Sequence, residues 1–194
     1  MVRKNQPSPR PRKWVSKTLR LQEDHGWKCR PGFKVFVADR GAVRFDIPDH
    51  WIIVPGETNS IKFHDKTPPE DDCVLEMTVF YLDDRIDWSQ LELGPMVDQL
   101  RNGNEVEVTH RGETVVQRRG KLEIAWGENR YIDPEEDRPA RSRLLVARWS
   151  NIQPLITFAF WEDHAAVNVG AWAELLRTLE LGSYVEDPTK RLLD

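Results

Sequence analysis

Residues 155–182 read LITFAFWEDHAAVNVGAWAELLRTLELG, and this stretch decides the fold class. Leu155 to Trp161 is a short run rich in aromatic and β-branched residues, the composition of a strand built into a sheet. After Glu162, Asp163 and His164 the period changes. Val169, Trp172, Ala173, Leu176 and Leu179 recur at three- and four-residue spacing and define one face of a helix. Asn168 is the expected N-cap and Gly182 the expected C-terminal stop. A strand followed by a Trp-bearing amphipathic helix implies a helix laid back on a sheet.

Upstream, the same two periods alternate. Val35 and Val37, then Val43, Phe45 and Ile47 with Arg44 and Asp46 between them, have the period of half-buried strands, and Pro48 stops the second. Trp51–Val54 and Ile61–Phe63 are two short strands around a turn at Pro55, Gly56 and Asn59. Val74 to Leu82 is apolar on both faces and is expected to be a central strand covered on both sides. Leu93, Met96, Val97 and Leu100 give a helix that ends at Asn102 and Gly103. Four further strands follow, at Val106–Val108, Leu122–Trp126, Leu144–Trp149 and Leu155–Trp161. Asp133 to Arg143, with its two prolines and mixed charges, reads as a long mobile loop. The fold class is therefore α+β: an α/β/α sandwich with a central antiparallel sheet and a C-terminal amphipathic helix.

Charge divides the 194 residues unevenly. Residues 1–20 carry seven cations, Arg3, Lys4, Arg10, Arg12, Lys13, Lys17 and Arg20, and no acid, so 21 of the 28 cations face all 32 acids in the remainder, a net −11. The expected organisation is a basic, Pro-containing tail and arm at 1–30, largely disordered, one domain at 31–182, and a polar tail at 183–194. No apolar run approaches the ~20 residues that span a bilayer. The tail lacks the apolar stretch of a secretory signal, so the chain is expected in the cytoplasm, with Cys29 and Cys73 as reduced thiols.

Chemistry-bearing motifs are sparse. The chain has no phosphate-binding glycine loop, no dinucleotide fingerprint, no H-E-x-x-H, no G-x-S-x-G and no C-x-x-C. His64 and Asp65 at one strand end, with Glu162 and His164 after the last strand, form a candidate oxygen and imidazole set for a divalent metal in a small metal-assisted enzyme. Glu70, Asp71 and Asp72, with Asp83 and Asp84 downstream, form a candidate acidic patch for a basic partner. Solvated turns are the simpler account of both. Arg3, Lys4, Arg10, Arg12 and Lys13 could neutralise phosphates, which would give salt-sensitive, non-specific polyanion binding through the tail. Eight Trp is a high count, of which Trp14 and Trp27 fall outside the expected core.

GAVRFDIPDHW at 41–51, SIKFHD at 60–65 and the closing FWEDHAAVNVGAWAELLRTLELG at 160–182 resemble the PsbP-like superfamily. That group includes the extrinsic photosystem protein PsbP, a Ran-binding nuclear-import factor and DcrB-like bacterial proteins. The resemblance covers roughly residues 33 to 182 and implies the same α/β/α sandwich. Its motifs are packing motifs, so it assigns no catalytic residue and no cofactor. The resulting expectation is a non-enzymatic protein-binding or adaptor domain with another protein as partner, acting through a sheet face or the acidic loops.

Overall fold

The computed structural model describes residues 26–103 and 106–183. The expectations for Arg3, Lys4, Arg10, Arg12, Lys13 and Trp14, and for the C-terminal tail beyond Ser183, lie outside the described residues.

Among the described residues eleven strands form two sheets, and every pairing is antiparallel. Phe33–Ala38 (β1) pairs with Val43–Pro48 (β2), whose other edge takes Glu180–Leu181 (β11). The larger sheet is built from Ile52–Pro55 (β3), Ile61–His64 (β4), Cys73–Tyr81 (β5), Val108–Arg111 (β6), Val115–Arg119 (β7), Leu122–Asp133 (β8), Arg138–Arg148 (β9) and Ile152–Trp161 (β10). Its order is β3-β4-β5-β10-β9-β8-β6, with β7 sharing the β8 edge beside β6. Two meanders, β3-β4-β5 and β8-β9-β10, thus meet where β5 pairs with β10. Leu93–Asn102 (α1) packs on β8 and β9, while Ala165–Thr178 (α2) packs beside β2 on the opposite side of the sheet. The expected antiparallel α+β sandwich is present, with the small sheet joining α2 in one layer.

Alternation along the strands sets the layers. In β10, Ile152, Pro154, Ile156, Phe158 and Phe160 are buried, and the residues between them are not. These side chains meet Phe63, Leu75 and Met77 from the same sheet, Phe36, Val43, Phe45 and Ile47 from the small sheet, and Trp172, Leu175 and Leu179 from α2 and its end. Burying a side chain of this size contributes about 1.5–3 kcal/mol. Rings organise this core: Trp172 stacks on Phe158 with centroids 6.0 Å apart, and its edge meets Trp126 at 5.6 Å. A second, smaller core of Leu93, Val97, Ala125 and Val146 lies under α1.

Several local expectations are corrected. The stretch 133–143 is no long loop: β8 and β9 continue through it to a tight hairpin at 134–137. The Asp133 carboxylate accepts from the amides of Glu135 and Glu136, both at 3.0 Å, and Arg138 lies 4.6 Å over the Trp161 ring. The three arginines of the stretch are paired, Arg138 with Asp163, Arg141 with Glu128 and Glu162, and Arg143 with Glu128. β5 is central in its pairing but is buried on one face only; Phe80 and Tyr81 at its end are about half exposed. α1 turns Arg101 into the interior and leaves Leu100 outside. In α2 the buried residues are Asn168, Ala171, Trp172, Glu174, Leu175 and Thr178, so Asn168 is a buried helical residue and not the cap, and Val169 and Ala173 face out. The helix ends at Thr178, before Gly182. Gly182 instead follows β11, at φ 73° under the Trp149 ring, where a Cβ would overlap the indole.

Candidate functional site

The sequence-marked residues fall at two opposite ends of β5. At its start, His64 Nδ1 lies 2.9 Å from Asp71 Oδ2, and Asp65 Oδ1 accepts from the amides of Asp72 and Cys73 at 2.9 and 3.2 Å. Asp72 is paired with Lys66 and lies 3.4 Å from His164 Nδ1. Glu162 is bound by both arms of the Arg141 guanidinium. The β4–β5–β10 pairing does bring both expected metal segments to one end of the sheet. It does not bring His64, Asp65, Glu162 and His164 together, because each answers a different neighbour. Among the described residues no group of three or more His, Cys, Asp or Glu side chains could hold a metal ion.

The acidic patch is likewise divided. Glu70, Asp71 and Asp72 precede β5, whereas Asp83 and Asp84 follow it, and nine strand residues at about 3.3 Å each separate them. Asp71 and Asp72 face His64 and Lys66. Asp83 takes Arg85 on both oxygens, with Nε at 2.9 Å and Nη2 at 2.6 Å. Only Glu70 and Asp84 remain exposed without an ion-pair partner among the described residues.

Beside Asp83 and Asp84 opens a hollow of about 330 Å³. The loop after β5, the start of β8 and the β9–β10 turn enclose it, bringing Trp88, Lys121, Arg148 and Trp149 to its wall. Sequence reasoning passed over all four. Trp88 is fixed by its Nε1–H, which donates to the Asp83 carbonyl at 3.0 Å. Arg148 is 5% exposed; its Nη2 donates to Leu91 O and Glu123 Oε2, both at 2.8 Å, while its Nη1 has no hydrogen-bond partner. Another hollow, of about 160 Å³, lies by Asp71, Cys73, Tyr131 and Trp161. The Cys73 thiol there is pushed far up by burial, which removes it as a nucleophile.

A third feature is the outward face of the large sheet. α1 packs on β8, β9 and β7, and Leu155 of β10 joins the small core beneath it, so most other outward side chains of β3, β4, β5 and β10, among them Val54, Lys62, Val74, Glu76, Thr78, Thr157 and Ala159, are half-buried or exposed. Phe80, 45% exposed, ends this strip beside Gln153.

Ion pairs set the acid response. Glu123, Glu162 and Glu174 are held below the usual carboxylate range, chiefly by hydrogen bonds from Arg148, Arg141 and Arg177. Burial pushes Asp46 upward, and Arg44 only partly offsets this. A Glu with a folded-state pKa below its unfolded value of about 4.3 adds stability that is present above that value. That stability is lost as pH falls through the folded pKa. Asp46 acts in the opposite sense and gains on acidification. Asp72, Asp83, Asp87 and Asp163 are lowered as well, so the lowered carboxylates outweigh the one raised, and Tm is expected to hold level above about pH 5 and to fall below about pH 4. Melting curves down that range check the balance; a Tm that rose on acidification would make Asp46 dominant.

A central antiparallel sheet between α1 on one face and α2 with a small sheet on the other is the PsbP-like fold. The solution structure of cyanobacterial PsbP (CyanoP) from Synechocystis sp. PCC 6803 is similar to it, with a TM-score of 0.54 at 12% identity over 81% of this chain and 99% of that one. A crystal structure from Bacteroides thetaiotaomicron VPI-5482 is similar over 78% of this chain, with a TM-score of 0.53 at 16% identity; the chain spans about half, 49%, of that structure. At these identities the likeness is one of fold alone. The chain belongs to the Alr1449 family, whose profile matches residues 34–185. Uncharacterized protein alr1449 of Nostoc sp. (strain PCC 7120) is 40% identical over 180 residues, 92% of this chain and 93% of its own length.

Proposed function

We propose that the chain is a non-enzymatic, cytoplasmic protein-binding module that engages its partner through the uncovered half of its large sheet. The observation that supports this reading is the half-covered face: apolar and hydroxyl side chains of β5 and β10, ending at the exposed Phe80, lie beside α1 with no layer over them. The ion pair of Lys62 with Glu76 sits in the middle of this face, opposite Thr157, so the surface is mixed apolar and polar, as non-obligate interfaces are. The metal-assisted alternative has little support, since its four candidate ligands are bound to separate partners.

Affinity capture from native lysate tests the proposal. The expected result is a protein retained in high salt by the intact chain and by a chain lacking residues 1–20, and lost with Thr157→Arg, an exposed outward position on β10 whose substitution leaves Tm unchanged. Capture that survives Thr157→Arg removes the sheet face from the proposal. Capture that disappears on tail deletion, with release by salt, replaces it with polyanion binding.

A further inference from the structure

From the cleft beside β8 and β9 we infer a second site, independent of the sheet face, that binds a neutral polyhydroxylated ring: a pyranose, or two linked. Its volume of about 330 Å³ lies near the lower end of small-molecule sites, roughly 300–1,000 Å³, which suits one or two sugar rings. Two half-buried indoles, Trp88 and Trp149, line it, and both are held from behind, Trp88 by the Asp83 carbonyl and Trp149 by the Gly182 backbone. Fixed aromatic surfaces of this kind receive the C–H face of a sugar at small entropic cost.

The polar wall chooses among ligand classes. Lys121 and Asp84 form no ion pair, and the Ser150 and Asn151 side chains make no hydrogen bond, among the described residues. The cleft therefore holds idle donors and idle acceptors side by side. Arg148 adds charge but no free donor. Its guanidinium is buried and held by Leu91 O and Glu123, and its Nη1, though without a partner, is shut off from solvent. An anion would meet Asp83, Asp84, Asp87 and Glu123; a cation would meet Lys121 and Arg148. An apolar ligand would strip water from all of them. Vicinal hydroxyls donate and accept at once, and so satisfy both halves of this wall without bringing charge.

The full chain labelled with ¹⁵N provides the test, because indole N–H signals of Trp88 and Trp149 report on the cleft and that of the core residue Trp172 serves as control. The probes are the methyl glycosides of glucose, galactose and mannose, and maltose, with glucuronate and inorganic phosphate as charged comparisons. A neutral probe is expected to move the Trp88 and Trp149 signals saturably and leave Trp172 in place. Lys121→Ala and Asp84→Ala, both at exposed positions, are each expected to weaken that binding about tenfold with Tm unchanged. No shift with any neutral probe up to tens of millimolar overturns the inference, as does a response only to glucuronate or phosphate. So does binding that neither variant weakens.

Discussion

Gly127→Ala is expected to lower Tm by on the order of 10 °C, from a loss of about 3–5 kcal/mol. The reason is Arg101, whose side chain is 2% exposed and lies across the backbone of Gly127, where a Cβ would overlap the guanidinium. That guanidinium donates to Asn129 Oδ1 from Nε at 3.1 Å and Nη2 at 2.8 Å, to Thr114 Oγ1 at 2.9 Å, and to the Gly112 and Glu128 carbonyls at 2.8 and 2.7 Å. Asn129 Nδ2 donates back to the Arg101 carbonyl at 3.3 Å. Displacing the side chain leaves the buried Asn129 Oδ1 and the Gly112 carbonyl without this donor, at about 1–3 kcal/mol each, before any strain in α1; the Glu128 carbonyl keeps the Gly112 amide at 2.8 Å. Arg101→Leu removes the same donors without a clash and is expected to cost a similar amount. Because both changes act through one network, the double variant should lose no more than the worse single one. Thermal melts of the three variants decide this, and a Gly127→Ala protein melting within about 2 °C of the parent, under 1 kcal/mol, would mean that Arg101 relocates freely.

Arg101 also shows where sequence reading stops. A helical face drawn through Leu93, Met96, Val97 and Leu100 scores apolarity alone, and one residue of rotation, about 100°, exchanges Leu100 for Arg101. What inverts them is a set of acceptors contributed by 112–114 and 128–129, invisible from within 93–102. In α2 the same difficulty arises from small residues: Ala171 and Ala173 look alike in sequence, and only the position of the sheet decides that Ala171 faces in. Strands were legible where alternation is clean, as in β2 and β10. It was not legible in β7, VVQRR at 115–119, whose exposed valines and arginines suit an edge with no buried face. The candidate cleft draws residues from 83–89, 121–123 and 148–151, brought together by pairing across the sheet, so no local spacing marks it. The only signal was the count of tryptophans, and it did not say which ones shared a wall.

The second large effect is expected at Glu128. Arg143, 6% exposed, lies within 6 Å of three rings, with its guanidinium carbon 5.2 Å from the centre of Phe160, 5.6 Å from Trp172 and 5.9 Å from Trp126. Its carboxylate partner is Glu128, with Nη2 to Oε2 at 2.7 Å, and Glu128 also holds Arg141 at 3.1 Å, which in turn binds Glu162. Burial disfavours the charge on Arg143, so the site depends on that single carboxylate to keep a cation beside the core aromatics. Glu128→Leu strands it, and the expected loss is about 3–5 kcal/mol. Removing both charges is a different matter: in Glu128→Leu/Arg143→Met the desolvation cost goes with the pair, and most of the stability should return. Urea titrations of the two single variants and the double variant measure the coupling. Recovery in the double variant would assign the pair a role in fixing the register of β8 on β9, where Glu128 and Arg143 face one another. If instead the double variant falls as far as the sum of the singles, the guanidinium stabilises the Trp126, Phe160 and Trp172 cluster in its own right, and the cation–π contacts, each about 0.5–2 kcal/mol, carry the weight.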